Sequence, residues 1–331
     1  MADKELKVGD RYCCRKCGSV IIVSVGSDIP KCCNAKNLEF LGRERYTKNQ
    51  YNEALKFFKK DNLLQLIKDE ISKDHLGDDN LKMTLFLVEV SGLSCNPKRR
   101  VSAAIKANSS DGKDNALRST LKHIPEEKYL FVTSATQASI EDDIKDKPIL
   151  VFSELNVNKD NGANKNLVEV IKQRTEGGTS AIKKDLRDGM KSTRHEKSEQ
   201  GSVLYTSTES DIDEEMKTRF IELFIKSTRE KITAVNNNTL DSFSDINRIL
   251  DETDEEDSFI KIGLTRFCQV FDGFHIYLPY AKYLKEFSFI DDDSPRSKRD
   301  LKRVLSLTCA MTFLNSMRRK RCQKKGVNFI E

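Results

Sequence analysis

The sequence of 331 residues lacks any long hydrophobic run. Its longest apolar stretches, such as residues 19–25 and 83–90, fall far short of the roughly 18 residues that a membrane-spanning helix needs. The first ten residues, MADKELKVGD, are too charged for the apolar core of a secretory signal. We therefore expect a soluble, cytoplasmic protein without a membrane partner.

Apolar residues are scarce at 37% of the chain, whereas charged residues reach 33%. The length still allows two or three folded units with cores of their own, so a disulfide scaffold is not needed. The net charge of +5 is too small to indicate nucleic-acid binding by itself, but the charges are separated along the chain. Positions 251–257 read DETDEED, and positions 294–325 hold eleven basic residues, which predicts an acidic linker and a basic C-terminal face.

Five of the nine cysteines fall within the first 33 residues, whereas the four histidines show no metal-ligand spacing. In a reducing cytoplasm this clustering favours a metal ion over disulfides, because thiolates at CxxC spacing bind one tetrahedral ion from a single turn. The order of CxxCG, a β-branched strand, a CC pair and an apolar strand resembles desulforedoxin and the N-terminal domain of desulfoferrodoxin over residues 10–42. The resemblance implies a Zn²⁺ or Fe site. Its four ligands would be Cys14, Cys17, Cys32 and Cys33.

Two apolar elements open the central region. Asp-Asn precedes LLQLIKDEI, in which Leu64, Ile67 and Ile71 recur at helical spacing, so we predict a capped amphipathic helix. A second apolar element covers residues 81–90.

A candidate phosphate loop follows an apolar run that ends at Ile105 and precedes a helical pattern. Against GxxxxGK[ST] it keeps the Gly-Lys pair, but an alanine replaces the first glycine and an aspartate replaces the hydroxyl residue that ligates Mg²⁺. That carboxylate would either bind the metal or repel the nucleotide, and a surface turn is the alternative reading of the octet alone. The candidate nucleotide-binding residues are Ala107, Asn108, Ser109, Ser110, Asp111, Gly112, Lys113 and Asp114.

Further apolar strands follow in the order expected of a nucleotide hydrolase. Residues 148–152, PILVF, have the composition of a strand buried on both faces, and the strand ends in Ser153 and Glu154. Hydrolases place acids there to hold Mg²⁺ and to orient or deprotonate water, and here a serine replaces the first acid. A third strand, GSVLYT, and a fourth, residues 220–225, complete the pattern.

From about residue 62 to residue 329 these blocks resemble the ATPase core of helicase-primase proteins of viruses, plasmids and integrated elements. These proteins are a branch of the AAA+ ATPases akin to superfamily 3 and minichromosome-maintenance helicases. The likeness also rests on PILVFSEL, EGGTSAIKKD, a sensor strand that ends YTST, MKTRFIELFI and a basic C-terminal helix. It implies an α/β fold: a P-loop AAA+ core at 46–245, a small N-terminal β metal ribbon at 1–45, and an acidic linker with a winged-helix-like segment at 246–331.

The same resemblance implies ATP, Mg²⁺ and a ring-shaped homo-oligomer. Lys113 would hold the β and γ phosphates, and Glu154 would be catalytic. Thr206 and Ser207 would sense the γ phosphate, and Arg219 would act as a finger across a subunit interface.

Two basic segments are candidate DNA contacts. Asp188-Gly189 is a hairpin-turn signal, and such a hairpin reaches into the channel of helicase rings; a solvated surface hairpin is the alternative. From residue 296 the sequence predicts one long helix with an apolar face of Leu301, Val304 and Leu305, followed by a short strand, GVNFIE. The resembled proteins continue where this chain stops, so we expect backbone contact rather than sequence recognition. The candidate residues are Lys183, Lys184, Arg187, Lys191, Arg194, Arg299, Lys302, Arg303, Arg318 and Arg319.

Two functions therefore remain open. The first is an ATP-dependent helicase or replication ATPase of a mobile element or virus, acting on single-stranded or duplex DNA. The second is a catalytically inactive DNA-binding or adaptor protein with a metal ribbon, favoured because Ala107, Asp114 and Ser153 are altered together.

Overall fold

The computed structural model describes residues 10–14, 20–22, 38–43, 45–132, 147–153, 162–187, 190–208, 214–246, 256–286 and 296–331. It divides into two compact units, Met1–Ala54 and Leu55–Glu331. Within the described residues, every helix is too short or too polar to cross a bilayer.

The N-terminal unit contains an antiparallel sheet of three strands: β1 (Asp10–Cys14), β2 (Val20–Ile22) and β3 (Leu38–Arg43). β1 lies between the other two, and its register with β3 shifts between Arg11 and Tyr12. Helix α1 (Lys48–Phe57) follows. Thr47 and Gln50 cap it reciprocally, since each side chain accepts a hydrogen bond from the other's backbone N–H.

Two helices lead into the second unit. The predicted amphipathic helix is present as α2 (Leu63–Ser72), which buries Ile67 and Ile71, but the Asn62 side chain makes no capping hydrogen bond. The second apolar element is α3 (Asp79–Gly92).

The following strands are short and, apart from the pair β7 and β8, mostly apolar. They are β4 (Ala103–Lys106), β5 (Tyr129–Val132), β6 (Ile149–Phe152), β7 (Thr179–Arg187), β8 (Met190–Ser198), β9 (Ser202–Ser207) and β10 (Ile221–Phe224). The interspersed helices are α4 (Lys113–Leu121), α5 (Gly162–Glu176) and α6 (Glu214–Lys217).

Five of these strands form one parallel sheet in the order β10-β4-β9-β6-β5. The side chains of β4, β6 and β9 are buried throughout, as expected for a sheet covered on both faces. Because β9 lies between β4 and β6, the carboxyl ends of all three strands meet at one edge. This edge carries the loop after β4 and the residues after β6 and β9.

The predicted hairpin is present as the antiparallel pair β7 and β8, with Thr179 opposite Ser198 and Arg187 opposite Met190. Two residues, 188 and 189, lie between the strands and outside the described part of the chain. Gly178 precedes β7 with φ +91, and a side chain there would overlap the carbonyl group of Ser198. A glycine is therefore needed where α5 turns into the hairpin.

The C-terminal part follows α7 (Arg229–Ser244). It consists of α8 (Phe259–Val270), β11 (His275–Ile276), a 3₁₀ segment (Pro279–Glu286), α9 (Ser297–Leu314), β12 (Arg321–Lys324) and β13 (Val327–Ile330). β13 pairs in parallel with β11 and antiparallel with β12, and the predicted strand in GVNFIE is β13.

The C-terminal helices share the hydrophobic core of the second unit. Phe267 on α8 packs against Phe58, with ring centroids 4.7 Å apart, and against Phe313 on α9 at 5.7 Å. The apolar face predicted for the first turns of α9 is present only in part: Leu301 and Leu305 are half-buried, whereas Val304 is 46% exposed. The buried side of the helix includes Cys309. This side faces α3 and the segment before β4, which are the elements that the helix contacts.

Candidate nucleotide-binding site

The loop from Ala107 to Gly112 joins the buried strand β4 to α4 at the carboxyl edge of the sheet. Its first residue extends the sheet ladder, because the Ala107 N–H donates to the Ser207 carbonyl at 3.3 Å. Ser110 and Gly112 then take positive φ angles of 72° and 86°. The left-handed Gly112 turns the chain directly into the helix, the geometry for which the Gly-Lys pair is suited.

Asp111 stabilises this loop from within. One of its carboxylate oxygens accepts the Asn108 N–H at 3.2 Å, and the other accepts the Ser227 hydroxyl at 2.7 Å. The loop is thereby fastened to the segment before α7, while Asn108, Ser109 and Ser110 stay exposed.

Lys113 is the first residue of α4 and is only 8% exposed. In the part of the chain that the structure describes, its ammonium group has no ion pair and no hydrogen-bonded side chain. The first amides of α4 likewise have no acceptor within the helix, and the helix dipole is positive at this end. A lysine ammonium beside the first amides of a helix is a favourable place for an anion such as phosphate.

Asp114 connects α4 to the carboxyl ends of two strands, β6 and β9. Its Oδ2 accepts the Ser153 hydroxyl, just after β6, at 3.1 Å, and its Oδ1 accepts the Thr206 hydroxyl of β9 at 2.8 Å. Asp114 and Ser153 are half-buried, whereas Thr206 is fully buried. One carboxylate and two hydroxyls thus converge beside Lys113, and such oxygen ligands suit Mg²⁺.

The other predicted residues of this site lie as follows. Ser207 ends β9 and is fully buried, and its carbonyl holds the start of the loop. Glu154 follows Ser153 directly in sequence but lies outside the described residues. The sensing and catalytic roles of Thr206, Ser207 and Glu154 therefore stay predictions.

Arg219 lies at the opposite end of the sheet from the loop, because it precedes β10, which runs parallel to β4. Its guanidinium donates to the Lys172 carbonyl at 3.0 Å and pairs with Glu176 at 3.0 Å, both on α5. The side chain is thus engaged within its own subunit, and its role as a finger toward a neighbouring subunit stays a prediction.

Sequence reasoning missed the residues that support the loop from behind. His75 is 3% exposed; its Nε2 lies 2.9 Å from Asp78 Oδ2, and its Nδ1 lies 3.2 Å from the Asn115 side chain on α4. Burial lowers the pKa of His75, so the neutral ring is favoured. Lys231 on α7 pairs with the same Asp78 carboxylate. Since these residues come from separate parts of the chain, no local motif marks them.

The predicted DNA contacts fall into two groups. In the hairpin, the register places Lys183 opposite Arg194 and Arg187 opposite Met190. In the C-terminal part, Arg299 and Arg303 bind Thr218 and line a 340 Å³ pocket at the amino end of the sheet with Lys302.

Beyond α9 the basic residues are exposed. Arg318 pairs with Asp61 at 2.6 Å, and its neighbour Arg319 is exposed. The hairpin of β12 and β13 adds cations that were counted in the sequence but not singled out there, namely Lys320, Arg321, Lys324 and Lys325.

The predicted Cys₄ site lies outside the described residues, apart from the backbone of Cys14 at the end of β1. Across the residues whose side chains are described, no three His, Cys, Asp or Glu side chains form a metal-binding group. Cys95, Cys268, Cys309 and Cys322 are free thiols.

The parallel sheet and the loop between β4 and α4 together define an α/β protein of the P-loop NTPase class. A comparison with known families matches residues 48–270, about two thirds of the chain, to the MTBMA_p00010 P-loop domain. The chain belongs to this P-loop domain family. No curated protein matches it.

Proposed function

We propose that the protein is a Mg²⁺-dependent ATPase that acts on DNA, in the manner of the AAA+ helicases that its sequence resembles. The observation that supports this most is the mostly buried side chain of Lys113 at the start of α4, next to the carboxylate of Asp114. A cation at the start of a helix favours a bound anion, and triphosphate is the anion that a P-loop encloses. The neighbouring oxygens fit a hard divalent cation.

In this proposal each residue has one task. Lys113 and the first amides of α4 bind the phosphate oxygens, and the loop backbone encloses them. When bound, Mg²⁺ neutralises the charge that develops on the β and γ phosphates. Glu154 orients or deprotonates the attacking water, and Thr206 holds the Asp114 carboxylate in place.

Calorimetric titration with ATP tests the proposal, with Mg²⁺ and with EDTA, for the wild type and Lys113→Ala. Wild-type binding that needs Mg²⁺ and is lost in the variant supports it. Turnover, with and without single-stranded DNA, then separates an ATPase from the second candidate. That candidate, a catalytically inactive DNA-binding adaptor, is favoured by Ala107 in place of glycine, and binding without turnover would support it.

For DNA we propose the C-terminal part as the contact, in the form of a winged helix. The order of helix, short strand, 3₁₀ segment, helix and hairpin, with β11 paired to β13, supports this arrangement. The exposed cations of the β12 and β13 hairpin suit a phosphate backbone. The hairpin of β7 and β8 is the second proposed contact, at Lys183, Lys184, Arg187, Lys191 and Arg194.

A ring of identical subunits is part of the same proposal. The helix α7 starts beside the P-loop and exposes large apolar side chains, including Leu240 at 68% and Phe243 at 82%. Contiguous exposed apolar surface is typical of protein interfaces. Light scattering with and without Mg·ATP tests this; a monomer under both conditions would contradict it, and with it the finger role of Arg219.

We also propose that the N-terminal unit binds Zn²⁺ or Fe through Cys14, Cys17, Cys32 and Cys33. The cysteine spacing and the antiparallel sheet of β1 to β3 support the proposal. Elemental analysis and visible absorbance of fresh protein distinguish zinc from iron, because only an iron tetrathiolate is coloured. The wild type should hold one metal per chain and Cys17→Ser should lose it; less than one metal in the wild type, or the same metal content in both proteins, would contradict the proposal.

A further inference from the structure

Two positions that P-loop proteins use for Mg²⁺ carry unexpected residues here. One is the position after the P-loop lysine, where a Ser or Thr hydroxyl ligates the metal, and the other is the end of the Walker B strand, where an Asp does. This chain has Asp114 at the first position and Ser153 at the second. Considered separately, each looks like the loss of a ligand.

The structure shows that the two residues are in contact. The Ser153 hydroxyl donates to Asp114 Oδ2 at 3.1 Å, although 39 positions separate them in the chain. The pair therefore still offers one carboxylate and one hydroxyl at the same place, and its charge is still −1. Only the element that carries each group differs.

We infer that Asp114 and Ser153 have exchanged roles, so that the helix α4 supplies the carboxylate for Mg²⁺ and the end of β6 supplies the hydroxyl. This inference rests on the proposed function. It explains two of the three altered positions as one compensated change, which leaves Ala107 as the single uncompensated departure from the motif among these three.

The surroundings of Asp114 suit a carboxylate that binds a metal. It lies in the first turn of α4, where the helix dipole stabilises negative charge, and it follows the Lys113 cation. Two hydroxyls, from Ser153 and Thr206, each occupy one lone pair of the carboxylate and fix its orientation. A carboxylate has about four such positions, so about two remain for a metal ion.

The exchange has a consequence for variants at position 114. The carboxylate now belongs to the phosphate-binding helix itself, so a triphosphate without a metal would meet negative charge there. Nucleotide binding should depend on the divalent cation more strongly than it would with a serine at position 114.

The test compares four proteins: wild type, Asp114→Ser, Ser153→Asp, and the double variant that restores the usual order. Binding of Mn²⁺·ATP is followed by the electron paramagnetic resonance of Mn²⁺ and by calorimetry, with ATP in EDTA as a second measurement. If Asp114→Ser unfolds, Asp114→Asn replaces it, because asparagine keeps the shape and can still accept one of the two hydrogen bonds. Asp69→Ser, which removes an exposed carboxylate on α2, is the matched control.

We expect Asp114→Ser and Asp114→Asn to weaken Mn²⁺·ATP binding by about 10- to 100-fold. The double variant should recover most of that loss, and the Asp69 control should match the wild type. Asp114→Ser should also bind ATP in EDTA better than the wild type does.

Three results would contradict the inference, and they have different consequences for the proposed function. If the wild type binds Mn²⁺·ATP and Asp114→Ser and Asp114→Asn bind it equally well, the exchange is wrong while the proposed function stands. If the wild type binds no nucleotide with or without the metal, the proposed function fails and the inference fails with it. Loss in the single variant without recovery in a folded double variant would also contradict the exchange.

Discussion

The hydroxyl of Thr120 on α4 donates a 2.7 Å hydrogen bond to the buried carboxyl group of Glu89 on α3. Glu89 is fully buried, and its second carboxyl oxygen has no hydrogen-bond partner among the residues that the structure describes. Burial raises the pKa of Glu89 well above its ordinary value, so the folded protein favours the protonated form. The helix that carries the P-loop lysine is thus joined to α3 through a carboxylic acid.

Glu89→Gln should make the protein more stable at neutral pH. The unfolded chain loses the glutamate proton near pH 4.5, whereas the folded protein retains it, so the wild-type free energy of unfolding falls as the pH rises above that value. The amide stays neutral, so the variant should gain about 1 kcal/mol at pH 7 and little at pH 4. Urea unfolding at several pH values measures this, with Glu127→Gln, an exposed glutamate, as the control.

His123 should make the protein less stable as the pH falls, whereas Glu89 makes it less stable as the pH rises. Burial lowers its pKa to about 4, and its Nδ1 lies 2.7 Å from the Ser258 hydroxyl that caps α8. The unfolded chain takes up the proton near pH 6.5, so stability is fully present above that pH and falls by up to about 3 kcal/mol toward pH 4. His123→Asn should remove this dependence between pH 6.5 and pH 4. An unchanged slope of unfolding free energy against pH would contradict the prediction.

Lys113 and Lys82 should respond differently to removal although both are buried. Lys82 is fully buried and donates to the Ser72 hydroxyl at 2.6 Å and to the His75 carbonyl at 3.1 Å. Lys82→Met should therefore lower the free energy of unfolding by about 1–3 kcal/mol. Lys113→Met should leave it unchanged or raise it, while Mg·ATP binding is lost.

Chemical unfolding and calorimetry on the two lysine variants check this contrast. A loss of stability in Lys113→Met as large as that in Lys82→Met would show that the lysine after Gly112 is structural.

The C-terminal hairpin should contribute most to the salt dependence of DNA binding. Lys324 and Lys325 are exposed, whereas Arg303 donates to the Thr218 carbonyl at 2.6 Å and to Asp300 at 2.7 Å. Replacing both lysines with Gln should reduce the slope of log K against log salt by about 1 to 2. Arg303→Gln should instead lower stability and leave the slope unchanged. Fluorescence anisotropy on labelled duplex from low to high salt measures both.

Local patterns predicted several elements of this fold. Leu64, Ile67 and Ile71 predicted α2, the apolar run PILVF predicted β6, and Asp188-Gly189 predicted the hairpin of β7 and β8. Each pattern concerns neighbours in the chain, where hydrophobic period and turn chemistry act directly. The buried face of α9 was predicted only in part, because Val304 is apolar but exposed and the contacts with α3 decide which side is covered.

The sequence by itself determined that a P-loop lies between a buried strand and a helix and that its Mg²⁺ positions are altered. Only the tertiary structure showed that the altered residues Asp114 and Ser153 are in contact. The order β10-β4-β9-β6-β5 brings Ser153 and Thr206 to Asp114 and places Arg219 at the far end of the sheet. Strand order depends on which apolar faces pack together across long separations, and no window of sequence contains that information. The net charge of +5 likewise does not show which basic side chains are paired. In the structure, arginines on α9 are paired, whereas the cations of the final hairpin are exposed.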